Sequence, residues 1–200
     1  MTTPDLDLDP DPRLRLARPG ADAAAVRSIY APVVRSTAVS FEEEPPDETA
    51  VRDRIERTLE RYPWLVAEAD GRILGYAHAS ARSDRPAYRW SVDVSVYVRE
   101  GHREAGLGGR LLGALRDVLR LQGYYTAYAV IALPNPASVG LFEAAGFERV
   151  GRYDGVGHKL GSWHDVGHWG LRLAPLPDEP AEPEPPAAVR GTEAFERALA

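Results

Sequence analysis

The stretch Val92–Leu115, VDVSVYVREGHREAGLGGRLLGAL, joins two periodicities through a glycine-spaced loop. Val92, Val94, Val96 and Val98 alternate with Asp93, Ser95 and Tyr97, a period of two that predicts a strand with one apolar face. A leucine-rich helix follows, to about Gln122. Between them, Arg103-x-x-Gly106-x-Gly108 aims several backbone N–H groups into one concavity at the positive end of that helix. The spacing predicts an anion site suited to phosphate. Gly106 and Gly108 permit positive φ and close approach, and Arg103 supplies charge; an ordinary strand-to-helix turn is the reading these residues leave open beside it. A dinucleotide fingerprint is disfavoured because Leu111 stands where its third glycine would fall, and a P-loop is excluded because no Gly-Lys-Ser/Thr follows.

Around this stretch the order of elements is mixed. "RLRLA" (Arg13–Ala17) alternates as a short strand, and "ADAAAVRSIYAPVV" reads as a helix with Val26, Ile29, Tyr30 and Val33 on one face, its end blurred by Pro32. Asp47 caps a second helix to about Arg61, since Val51, Ile55, Leu59 and Tyr62 share a face. "WLVAEADGRILGYAHAS" is a hairpin turning at Asp70-Gly71. After the central helix come a strand "TAYAVIAL", a short helix from Pro136 to about Ala145, and strands near "FERVGRYD" and "DVGHWGLRL". The pattern is α/β, with antiparallel hairpins at the start and a βαβα passage in the middle.

The 200 residues suit one domain, residues 13–174, between an acidic leader (1–12) and a Pro/Glu-rich tail (175–200) expected to be disordered. The net charge of −6 lies in those ends, which sum to −8 and leave the body at +2. That balance argues against nucleic-acid binding. No apolar run approaches the roughly 20 residues of a membrane span, and the leader has no signal-peptide character, so a cytoplasmic location is expected. With no cysteine, the chemistry falls to other side chains or a cofactor. His164 and His168, four apart on a strand, stand about 13 Å from each other, too far for one metal ion, and no metal is expected.

The strand, (Arg/Gln)-x-x-Gly-x-(Gly/Ala) loop and helix together resemble the core signature of the GNAT N-acetyltransferase family, and "ALPNPASVGLFEAAGF" resembles its second motif. The resemblance implies a mostly antiparallel twisted sheet, splayed at an acetyl-CoA site and flanked by helices. "RYPWLVAEADG", "YRWSVDVSVYV", "ALPNPASV" and "GSWHDVGHW" are closer still to the phosphinothricin acetyltransferase group within that family. The likeness implies a homodimer, acetyl-CoA as donor and the α-amino group of a small amino-acid-like acceptor. Cofactor contacts fall on Val96, Tyr97 and Val98, on Arg103, Glu104, Ala105, Gly106, Leu107, Gly108 and Gly109, and on Asn135 and Ser138. For the last two, turn and N-cap chemistry is the reading without the family.

An α-amine must lose a proton before it attacks a thioester, and Asp93, in a valine-rich strand, is the candidate base. The group places a glutamate there; aspartate is shorter by roughly 1.5 Å. A backbone N–H near Val96 to Val98 would meet the developing oxyanion. Phe41, Arg85 and Tyr88 match positions that contact the acceptor, Arg85 being suited to a carboxylate or phosphinate. Three departures stand out. Phe142 replaces the tyrosine or histidine that would protonate the thiolate, while Ser83 and Glu104 remove positive charge found in the group. Another amine acceptor, or a CoA-binding domain without catalysis, are the other readings.

Overall fold

The computed structural model describes residues 12–103 and 106–200. Seven strands form one sheet: β1 (Arg13–Leu16), β2 (Trp64–Ala69), β3 (Arg72–Ala81), β4 (Ser91–Val98), β5 (Thr126–Leu133), β6 (Glu148–Lys159) and β7 (Ser162–Arg172), in the order β1-β2-β3-β4-β5-β7-β6. Every neighbouring pair is antiparallel except β4 and β5. The helices are α1 (Pro19–Ser36), α2 (Glu48–Leu59), α3 (Leu107–Leu121), α4 (Pro136–Ala144), α5 (Pro186–Val189) and α6 (Glu193–Leu199). The mixed α/β architecture and splayed sheet expected from the sequence are present.

Two cores sandwich the sheet. Leu111, Leu112, Leu115 and Leu119 of α3 are fully buried against Val92 and Val94, and each such side chain contributes about 1.5–3 kcal/mol relative to exposure. On the other face Val26 and Ile29 of α1 and Val51 and Ile55 of α2 cover Trp64, Val66 and Tyr76. The alternation of β4 therefore sends its valines toward α3, whereas Tyr97 packs with the α1–α2 side. Asp70 and Gly71 both take positive φ, as the two-residue hairpin turn requires.

The helix end left open by Pro32 falls at Ser36, with Pro32 inside α1, since the carbonyl it deprives of a partner belongs to exposed Ser28. Two expectations need correction. The last two strands run longer than their apolar patterns, turning at Leu160-Gly161, both at positive φ. Residues 175–200, expected to be disordered, fold back on the body instead. Trp90 Nε1 donates to the Ala181 carbonyl (2.7 Å), Glu184 N to the Gln122 carbonyl (2.7 Å) and Gln122 Nε2 to the Glu184 carbonyl (2.6 Å). Val189 and Phe195 then bury themselves on Val118 of α3. Two apolar anchors, with six prolines that restrict the backbone, are enough to order a segment whose composition reads as disordered.

Under α1 and α2, Trp64 stacks on His78 with ring centroids 4.3 Å apart, beside Tyr76. Trp64 Nε1 and His78 Nδ1 are buried without hydrogen-bond partners, on the wall of a cavity of about 190 Å³. Burial pushes the His78 pKa down to about 4.

Two predictions follow from this packing. Phe195→Ala should lower stability in urea unfolding by about 3 kcal/mol, and an unaltered midpoint would mean that the C-terminal segment is detached. His78 stays neutral in the fold whereas the unfolded chain takes up its proton near pH 6.5, so its contribution is complete above that pH and is lost as pH falls toward 4. Up to about 3 kcal/mol is at stake, and His78→Phe should flatten the fall in melting temperature across that window.

Candidate active site

The parallel pairing of β4 with β5 lasts three residues, Ser91 to Asp93 against Thr126 to Tyr128. Beyond Asp93 the strands diverge. β5 continues on β7 to Leu133 and β4 on β3 to Val98, so the edge of β4 from Val94 onward has no strand partner on that side. Backbone N–H and C=O groups left without a partner seek one elsewhere.

The open end of this fork is a cleft of about 270 Å³. Its walls include Val96, Tyr97 and Val98 from β4, Arg103, Gly106, Gly108 and Gly109 from the loop and the start of α3, and Asn135 and Ser138 from the start of α4. The structure thus gathers nine of the twelve residues expected at the cofactor. Leu107 turns its side chain into the core, leaving only its backbone to the loop, and Glu104 and Ala105 lie outside the described residues. The end of α1 adds Val33, Thr37 and Val39, which no pattern in the sequence marked.

Local chemistry explains the shape. Gly106 caps α3 at φ 72°, a conformation costly for any side chain. Gly108 of α3 faces the Leu141 side chain of α4 and the Val98 side chain of β4, and a Cβ there would meet them at ordinary contact distances of 3.4 and 3.8 Å. Arg103 Nε reaches the Val98 carbonyl at 3.4 Å. Asn135 caps α4, its Oδ1 accepting from Ser138 N at 3.1 Å, which leaves its Nδ2 and the Ser138 hydroxyl available to the cleft.

Asp93 occupies the closed end of the fork, on the sheet face opposite α3, and is not part of the cleft lining. Arg82 Nη1 donates to Asp93 Oδ1 at 2.8 Å, with the two side chains 27% and 28% exposed. The guanidinium carbon lies 4.7 Å from the centre of the Tyr128 ring. Burial pushes the Asp93 carboxyl above its ordinary range, opposed by the Arg82 hydrogen bond and the charges of Arg82 and His168. Burial and the charge of Arg82 push His168 the other way, below the usual imidazole value, with Asp93 opposing. Both ring nitrogens of His168 are buried without partners. The sequence did not mark Arg82, and it weighed His168 only as a metal ligand; a β3–β4 register pairing Ser80 with Asp93, and the strand order placing β7 beyond β5, bring them there.

Phe41, 41% exposed, lies flat on Gly157 of β6: a Cβ there would fall 2.1 Å from the ring. Close by, Lys159 is 8% exposed and donates from Nζ to the carbonyls of Val34 and Ser40 at 2.6 Å each. Burial lowers its pKa, with Glu42 and Glu43 opposing. The ammonium ties the β6–β7 hairpin to the end of α1 and to the segment carrying Phe41. Arg85 and exposed Tyr88 stand on a short turn, Pro86–Tyr88, before β4. No hydrogen bond, ion pair or ring contact among the described residues joins either to Phe41 or Asp93.

Phe142 is 5% exposed, packs edge-on against Phe147 at 5.1 Å and does not line the cleft. Burial raises the Tyr97 phenol, which packs against Tyr30 and Tyr76. Among the described residues no group of three His, Asp or Glu side chains could hold a metal ion, and no helix is long and apolar enough to cross a membrane.

Comparison with known proteins agrees with this architecture. Phosphinothricin N-acetyltransferase of Streptomyces viridochromogenes is 41% identical over 82% of this chain and 90% of its own. The L-methionine sulfoximine/L-methionine sulfone acetyltransferase of Pseudomonas paraeruginosa is 37% identical over 80% and 94%. A phosphinothricin acetyltransferase from Sinorhizobium meliloti, solved in complex with acetyl-CoA, superposes with a TM-score of 0.82 at 33% identity, covering 86% of this chain and 95% of that one. The acetyltransferase (GNAT) domain family matches residues 14–168, and with this fork, glycine loop and α4 cap the chain belongs to the GNAT acetyltransferases.

Proposed function

We propose that this enzyme moves acetyl from acetyl-CoA to the α-amino group of a small amino-acid-like acceptor of the phosphinothricin, methionine sulfone or methionine sulfoximine type. The observation that carries the reading is the fork, an unpaired strand edge running from Asp93 to a loop of N–H groups and one arginine. Those parts fit an extended pantetheine arm ending in phosphates: the edge of Val96–Val98 takes its amides, and Arg103 with the Gly106–Gly109 backbone takes its anionic end. Asn135 and Ser138 close the far wall. Acetyl-CoA supplies an activated acetyl thioester; the chain supplies position and proton transfer.

In this mechanism a backbone N–H of Val96–Val98 holds the thioester carbonyl oxygen, where charge develops. Asp93 Oδ accepts the proton of the acceptor's ammonium, directly or across a water, and its raised pKa suits that work. The C–N bond forms as the C–S bond breaks. Because Phe142 is buried and Tyr97 holds its proton tightly, the sulfur leaves as a thiolate, tolerable for a thiol of pKa about 8.5. Phe41 is an acceptor contact, and Arg85 and Tyr88 border the same side. The enzyme works in the cytoplasm as a homodimer. A strip on β6 and β7, comprising Val150, Tyr153, Val156, Leu160 and Trp163 (70% exposed), supports the dimer as the surface a second copy covers.

Thiol release from acetyl-CoA with methionine sulfone or phosphinothricin should fall about 10²- to 10⁴-fold in Asp93→Asn. In the native enzyme kcat/KM should rise with pH through an apparent pKa above the ordinary carboxylate value of about 3.9, and this limb should vanish in the variant. Release that survives the substitution would remove Asp93 as base, and no release with either acceptor while acetyl-CoA binds would point to a non-catalytic domain or another amine. Gly157→Ala should displace Phe41 and raise the acceptor KM about tenfold, an overpacking cost of about 1–3 kcal/mol, with the acetyl-CoA KM unchanged. Sedimentation should give twice the 21.9 kDa chain mass, and Trp163→Arg should return the monomer.

A further inference from the structure

Arg82 and Asp93 form an ion pair that uses little of either group. A guanidinium carries five N–H donors in a planar fork, and among the described residues the hydrogen bond of Arg82 is the one from Nη1 to Asp93 Oδ1. Its plane is fixed by the Tyr128 face below it, 4.7 Å from the guanidinium carbon, and the side chain remains 27% exposed. Among the described residues the bond to Asp93 is to Oδ1, which leaves Oδ2 for a further donor. The pair therefore presents a cationic and an anionic end side by side, at the closed end of the fork and half removed from water.

That pattern has one simple complement among small amines. In an α-amino acid the ammonium nitrogen and the carboxylate carbon are separated by one tetrahedral carbon, which sets the nearest N–O distance at roughly 3 Å from standard bond lengths. The spacing matches the 2.8 Å between Arg82 and Asp93, so a zwitterion completes a square of alternating charge. Its ammonium meets Asp93 and its carboxylate takes the free edge of Arg82. The site then stays neutral overall on binding. A simple amine would add one uncompensated positive charge to a half-buried site, and an amino-acid amide would leave the guanidinium without its anion.

Resting on the acceptor lying against Asp93, as in the proposed function, we propose that Arg82 reads the acceptor's α-carboxylate and so sets this enzyme's preference for α-amino acids over other amines. Arg82 is a specificity-determining residue, distinct from Arg85, which is exposed and, among the described residues, neither stacked on a ring nor paired with a carboxylate. Arg85 is left for the far end of the acceptor's side chain.

Calorimetric titration of the CoA-loaded full chain with methionine sulfone and with its carboxamide tests this without requiring turnover, and steady-state kinetics on the same pair adds a second readout. The native protein should bind the acid at least tenfold more tightly than the amide. Arg82→Ala should remove that difference, chiefly by weakening the acid, and Arg82→Lys should restore part of it. In kinetics the loss should fall on the acceptor KM more than on kcat. Comparing one acid-to-amide ratio between native protein and variant cancels the different basicities of the two amines. A variant that loses acid and amide equally would show that Arg82 only holds Asp93 in place and would overturn the inference, as would a native protein that binds both alike or binds neither. Selective binding of the acid without acetyl transfer would instead overturn the proposed function and leave this inference standing.

Discussion

The separation of β4 from β5 after three rungs is the constraint on which the other parts of the site depend. A parallel pair in the middle of a sheet would ordinarily continue, because abandoning it leaves backbone donors and acceptors unpaired. Here the two strands are pulled apart by different partners: β4 stays in register with β3 to Val98, and β5 stays with β7 to Leu133. Inside the wedge α3 meets α4 and β4 where Gly108 faces the Leu141 and Val98 side chains. The same divergence decides the chemistry. It exposes a strand edge toward the cleft, and it leaves Asp93 at the last paired position, where burial beside Tyr128 on the next strand keeps its carboxylate partly dry.

The opposite wall is assembled by different physics. The segment between α1 and α2 is held by polar contacts: the Tyr30 hydroxyl meets Ser40 and Glu42, Arg54 pairs with Glu42, and a buried ammonium joins it to β6. Lys159 satisfies two carbonyls, one in the last turn of α1, where cations are favoured by the helix dipole, and one at Ser40. Gly157, two residues earlier on the same strand, gives the Phe41 ring a flat seat. Position and shape on that side therefore both come from β6, a strand that contributes no residue to the cleft lining. The β6–β7 hairpin that delivers these contacts also carries the exposed apolar strip assigned to a second copy, so acceptor geometry and assembly share one element.

The parts legible in the sequence were those whose physics is local. Alternating valines, a loop needing glycine at positive φ, Asp70-Gly71 and the caps at Asp47 and Asn135 each act within a few residues, and each lies where its pattern placed it. Contacts set by register were not legible. Arg82 is eleven residues from Asp93, and only the β3–β4 pairing makes them neighbours. His168 joins them through strand order, and Val33, Thr37 and Val39 reach the cleft because α1 runs on past Pro32. The C-terminal segment failed for a related reason. Its Pro/Glu composition says that it cannot build a core, but nothing in composition says that Gln122 and Val118 offer it one already made.

The ion pair at the fork also bears on how a carboxylate can be both held and reactive. In the free site Arg82 opposes the effect of burial on Asp93, so the carboxylate is a weaker base than burial alone would make it. With Arg82 assigned to the acceptor's carboxylate, arrival of a zwitterion gives the guanidinium a second anion to share its donors with. Its hold on Asp93 loosens at the moment the ammonium arrives to take the other side. In that proposal the acceptor's carboxylate offsets the charge of Arg82 while its ammonium takes over the contact to Asp93, and an amine without a carboxylate leaves the original pair intact. Selectivity in this arrangement need not come from a tight pocket around the acceptor, which agrees with an open setting where Phe41 and Tyr88 are substantially exposed. It comes from one charge exchanged for another at the point where two strands part.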